Sequence, residues 1–255
     1  VDSVRYSAVK VEIDRTGRRA TLTIAGPSSM PPASTDAMLA EGADYWPLRV
    51  ARELDDAVCH LRINEPEIGT LVFRTEGDPA LVLAHDAFLD ANAGHWLASE
   101  IRGLWKQVLK RIDLTAKSLV ALIEPGSCFA GTLAELVFAA DRSFMFAGTR
   151  KGDNKPAPTI TLGAPSFGAY LMPNGLTRLE TRFLGEPQSV EAARAAVGKP
   201  LDAEVAEEMG LVTVAFDEVD WDDEIRIFLE ERASFSADGL TGMEANLRFA
   251  GPETM

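Results

Sequence analysis

Between Lys117 and Phe146 the chain reads KSLVALIEPGSCFAGTLAELVFAADRSFMF, and the plan of the molecule is read from this stretch. Ser118 to Ile123 (SLVALI) is a short apolar run of the kind that forms a strand buried on both faces. EPGSCFAG follows as a glycine-containing turn, and Thr132 to Ala140 (TLAELVFAA) is helical by composition.

Upstream, Trp96 to Ile112 is an amphipathic helix: Leu97, Ile101, Leu104, Trp105, Val108 and Ile112 recur near 3.6 residues, opposite Glu100, Arg102, Lys106 and Lys110. Thr70 to Arg74 (TLVFR) reads as another buried strand ended by Gly77-Asp78-Pro79, with a second short apolar run at Leu81 to Ala84. Two buried strands separated by a helix and followed by a helix predict an α/β fold with parallel pairing, because parallel strands need a crossover. Further out, VKVEIDRTGRRATLTIAGP reads as a hairpin turning at Thr16-Gly17. Ser28 to Thr35 is a Pro- and Ser-rich loop. A helix is expected from about Pro47 to Arg62, carrying Cys59 and His60.

Downstream, the stretch from Arg150 to Asn174 is polar and then rich in Gly and Pro, as irregular loops are. Ser189 to Val197, Asp202 to Met209 and Asp222 to Arg232 are expected to be helical, with Leu211 to Phe216 a strand, and Gly239 to Met255 gives no clear closing element.

The 255 residues, 46% hydrophobic and 25% charged, suffice for one sizeable core. Cys59 and Cys128 lie far apart without metal-ligand spacing, which fits a reducing compartment, and the cytoplasm is the expected location. VDSVRYSAVK lacks the apolar segment of a signal peptide, and no run of apolar residues is long enough to span a bilayer. Neither membrane nor nucleic acid is an expected partner, since a net charge of -14 opposes phosphate backbones. The acidic run from Asp217 to Glu224 reads as a solvated helix start rather than a metal site.

The quoted stretch resembles the strand, Gly-rich turn and Glu-Leu-Ala…Asp signature of the crotonase superfamily. LDAEVAEEMGLVTVAF (Leu201 to Phe216) and ITLGAPSFGAY (Ile160 to Tyr170) are similar to two further segments of that family. The resemblance implies an α/β crotonase-like fold of repeated β-β-α units, with a core over 1–185 and a helical C-terminal portion over 186–255. FRTEGD (from Phe73), IEPGSCFAGTLAEL (from Ile123) and LTGMEANLRFAGPE (from Leu240) resemble the second half of one double-length branch. That branch opens the ring of an epoxidised benzoyl-CoA with water and releases formate. An acyl-CoA substrate, an N-terminal crotonase-like half and a homo-oligomer are the implied partners; no metal or cofactor is implied.

A crotonase site needs two backbone N–H donors on the thioester oxygen, and acids or bases beside the acyl group. The resemblance puts the first donor at His85, within LVLAHD, and the second at Thr132 or Gly131, with the family's other glycines replaced. Glu135 falls on a catalytic glutamate; as an ordinary buried residue it would equally suit an early helical turn. The family's second glutamate falls at Thr159, which cannot act as an acid or base. Cys128 is a pocket-lining or nucleophilic candidate, or a small buried hydrophobe. His85 is a proton shuttle or a loop residue, and His95 reads as a helix-start residue. Arg150, Lys151 and Lys155 suit a coenzyme A phosphate or a solvated loop, so the CoA-binding residues are left unassigned. Two hypotheses follow: an active acyl-CoA site using Glu135, or a non-catalytic unit that pairs with a catalytic one. The second is favoured by the substituted glycines and Thr159; both hypotheses leave an apolar surface where the other half would pack, so the isolated chain is expected to aggregate or self-associate.

Overall fold

The computed structural model describes residues 2–249. A seven-stranded sheet places its strands side by side in chain order. β1 (Asp2–Arg5), β2 (Val9–Asp14) and β3 (Arg19–Ala25) form an antiparallel ribbon. β4 (Thr70–Glu76), β5 (Ser118–Ile123), β6 (Arg142–Phe146) and β9 (Val214–Phe216) continue it in parallel from β3. The expected hairpin is β2 and β3. β9, within the 186–255 portion, closes the edge of this main sheet. A short ribbon pairs β7 (Ile160–Thr161) with β8 (Pro200–Leu201).

The period of two along the central strands sorts side chains into two layers. Val72, Val120, Leu122, Phe144 and Phe146 form one cluster with Trp221, Ile225 and Leu229 of a single helix, α9 (Trp221–Ser234). Leu71, Phe73, Leu119, Ala121, Ile123 and Met145 face the larger core. Within it lie the buried faces of α2 (Trp46–Asn64), α3 (Pro79–Ala91), α4 (Trp96–Asp113) and α5 (Glu135–Ala139), with Met38 of α1 (Thr35–Glu41). Each fully buried Leu, Ile or Phe stabilises by about 1.5–3 kcal/mol relative to exposure. Beyond the loops lie α6 (Arg178–Arg182), α7 (Pro187–Ala195), α8 (Ala203–Glu208) and α10 (Ala237–Arg248). No described helix is long and apolar enough to cross a membrane.

Two expectations are corrected. Leu81 to Ala84 is not a separate short run but the inside of α3, because Gly77-Asp78-Pro79 starts a helix as well as ending a strand. The Asp78 carboxylate accepts from the Ala80 N–H at 2.8 Å, with Pro79 in the first turn. The 239–255 region does contain a closing element: Ser236 caps α10, whose Gly239 and Gly242 weaken the helical signal in the sequence. The remainder of that region, 250–255, including the end of LTGMEANLRFAGPE, lies outside the described residues. The acidic run becomes the start of α9, with Asp222, Asp223 and Glu224 in its first turn.

Candidate active site

β5 delivers the chain into the turn Glu124–Ala130. From there it passes through a 3-10 turn (Gly131–Ala134) into α5. Gly131 has φ +49, and a Cβ there would run into the Asp86 carboxylate, so only glycine fits. Ile160–Gly163 lies against Phe129–Gly131: the Thr161 N–H donates to the Phe129 carbonyl at 3.2 Å, and a Cβ at Gly163 would sit 2.9 Å from the Gly131 Cα. Thr159, the position of the family's second glutamate, enters this segment with no carboxylate.

The Thr132 N–H donates to Asp86 Oδ2 at 2.6 Å, and the Thr132 hydroxyl donates to Asp86 Oδ1 at 2.7 Å. The Tyr170 hydroxyl lies 3.2 Å from the Thr132 hydroxyl. Burial pushes the Asp86 carboxyl up to about 7, despite the lowering influence of the two Thr132 bonds. A protein carboxyl group therefore occupies the donor that the resemblance reserves for a thioester oxygen.

Glu135, 2% exposed, is enclosed beside it. Its Oε2 accepts from Arg178 Nη1 at 2.9 Å. Arg178 Nε and Nη2 make a bidentate pair with Asp113 at 3.0 and 2.7 Å, and Nη1 also donates to the Tyr170 carbonyl. Burial raises the Asp113 carboxyl, and the Arg178 charge works against that rise. Glu135 Oε1 has no hydrogen-bond partner among the described residues. One guanidinium thus holds two carboxylates in the interior, a cluster that is strongly destabilised when one partner is removed.

His85 does not stand on a loop. It lies in the interior of α3, where its backbone N–H belongs to the helix ladder rather than to an open donor site. Its imidazole is buried against Tyr45 and Trp46, both ring centroids at 5.5 Å, with Nε2 3.1 Å from the Ser29 carbonyl. Burial lowers its pKa. Cys128 is also buried: its N–H donates to the Thr75 hydroxyl at 2.8 Å, and burial pushes the thiol up to about 11, away from nucleophilic behaviour. Its Sγ packs beside Gly26 and Gly77. His95 accepts from the Leu97 N–H at the start of α4.

In the basic cluster, Arg150 pairs with Asp222 at 3.3 Å and lies over the Phe146 ring, while Glu218 accepts from the Lys151 N–H. Lys155 lies along Gly126. The acidic run and the basic loop therefore meet each other.

The structure joins Gly131, Thr132 and Glu135 and leaves His85 and Cys128 elsewhere. Asp86, Asp113, Tyr170 and Arg178 complete the cluster without having been singled out in the sequence. The available signals were Asp86 amid the apolar run Leu81 to Leu89, and Arg178 just inside the capping box of Thr177 and Glu180.

The chain has the crotonase fold. It superposes on an enoyl-CoA hydratase/isomerase from Marinobacter aquaeolei with a TM-score of 0.65 at 18% identity, covering 98% of this chain and 86% of that one. An enoyl-CoA hydratase/carnithine racemase from Magnetospirillum magneticum gives 0.69 at 16% identity, covering 98% and 84%. No family model matches the sequence. In sequence the chain is 46% identical over 250 residues to the benzoyl-CoA-dihydrodiol lyase of Aromatoleum evansii, covering 98% of this chain. It spans 44% of that curated relative's length.

Proposed function

We propose that this chain is a crotonase-fold unit of a cytoplasmic benzoyl-CoA-dihydrodiol lyase, an enzyme that opens the ring of 2,3-epoxybenzoyl-CoA with water and releases formate during aerobic benzoate degradation. Its own part is to pair with and support a second, N-terminal crotonase-like unit that carries the catalytic acids. The supports are the 46% identity to the lyase and the share of that relative's length lying outside the match. The observation that carries the supporting role is the closed cluster: Asp86 fills the Thr132 donor, and Arg178 and Asp113 enclose Glu135. A general base must reach the proton it moves, and an oxyanion donor must be free to meet the developing charge.

A second reading has one observation in its favour. Glu135 Oε1 has no partner among the described residues, so an acyl-CoA hydratase or lyase site using Glu135 would need Asp86 to swing away from Thr132. Formate release from epoxybenzoyl-CoA separates the two. The supporting role predicts no turnover by the chain alone and turnover when it is mixed with the remaining part of a related lyase; turnover by the chain alone contradicts it. Sedimentation of the isolated chain is expected to show self-association.

A further inference from the structure

α6 carries a second, half-buried arginine, Arg182, whose surroundings differ from those of Arg178. A cavity of about 210 Å³ opens between the end of α5, the start of β6, α6 and α10. Its three acids are already engaged. Asp113 holds Arg178. Asp141 holds Arg248 through two bonds of 3.0 and 2.6 Å. Glu244 accepts from Arg232 at 2.9 Å and from the Ser118 hydroxyl at 2.6 Å. Two guanidiniums of the lining are left without a carboxylate among the described residues: Arg182, whose Nε donates to the Gly210 carbonyl at 2.6 Å, and Arg142, which donates to the Asp141 carbonyl at 2.8 Å. Thr181, also in the lining, has a buried hydroxyl oxygen with no hydrogen-bond partner among the described residues.

We propose that this cavity binds a small oxyanion of the phosphate or carboxylate class, held by the Arg182 and Arg142 guanidiniums with the Thr181 hydroxyl beside them. A partly desolvated cation is stabilised by a counter-charge; burial, and after it the like charge of Arg142 in the same lining, push the Arg182 pKa down to about 10. An anion placed between them removes that repulsion and gains charge-assisted hydrogen bonds from planar donors suited to carboxylate and phosphate geometry. A volume of about 210 Å³ is several times the roughly 30 Å³ of a liquid water, so such an ion fits with some hydration. The site lies behind the cluster that encloses Glu135, sharing Asp113 and Arg178 as wall.

The test is calorimetric titration of the 255-residue chain with inorganic phosphate and, separately, with acetate, at constant ionic strength. Binding of either anion is expected, weakened at least about tenfold by Arg182→Gln, the loss of one charged hydrogen-bonding partner. Arg142→Gln, an exposed position that leaves the fold intact, is expected to weaken it about threefold. Phosphate alone binding assigns the site to phosphate-class ligands; acetate binding as well or better assigns it to carboxylates. Absence of binding by both anions, or binding equally tight in the Arg182→Gln and Arg142→Gln chains, overturns the proposal.

Discussion

Arg178 and Arg182 stand one helical turn apart on α6, and their surroundings are opposite. Arg178 is enclosed by two carboxylates and a carbonyl, all its contacts within the interior. Arg182, half-buried, meets one neutral carbonyl and shares its cavity with a second arginine. An arginine with more counter-charge than it can neutralise ties α4, α5 and α6 together, and in doing so closes the place where Glu135 would act. One with too little counter-charge has capacity left for a ligand. The same residue type on the same helix is thus a fastener at one end and a receptor at the other.

The comparison breaks most easily at Arg178. Arg178→Ala is expected to cost about 3–5 kcal/mol, because it leaves Asp113 and Glu135 buried without their cation. Urea denaturation measures it, and a loss below about 1 kcal/mol would mean that Arg178 is not a fastener.

A smaller effect sharpens the account at Asp86. Its carboxyl is raised from 3.8 to about 7, so the folded state keeps the proton across a range in which the unfolded chain has lost it. The stabilisation from this group is present below pH 4, falls as pH rises from about 4 to 7, and is spent above 7. One such proton corresponds to about 1.4 kcal/mol per pH unit. Asp86→Asn cannot take up that proton, and its pH–stability profile between 4 and 7 is expected to lose this downward slope. An unchanged slope would place the proton elsewhere.

How much of this was legible beforehand follows from the range of each interaction. SLVALI and TLVFR were readable because a strand buried on both faces must be apolar throughout, and the helix from Trp96 because its inward face repeats locally. Asp78 before Pro79 reads as a strand end, although the same pair caps a helix, and with the helix start unrecognised a loop stayed open as one of the two readings of His85. Asp86, Asp113 and Arg178 gave no joint signal. They come from three helices separated by tens of residues, and only the parallel crossovers bring them around Glu135. Thr159 shows the converse: a missing carboxylate is legible at once, since no packing can supply its chemistry.

The central claim, that Glu135 is held by structure and not used in catalysis, is tested most directly by turnover of the assembled lyase containing Glu135→Gln in this unit, assayed well below its melting temperature. The account predicts formate release within about threefold of the unsubstituted enzyme. A loss of 100-fold or more, the scale on which a general acid or base contributes, would contradict it and make Glu135 a catalytic residue.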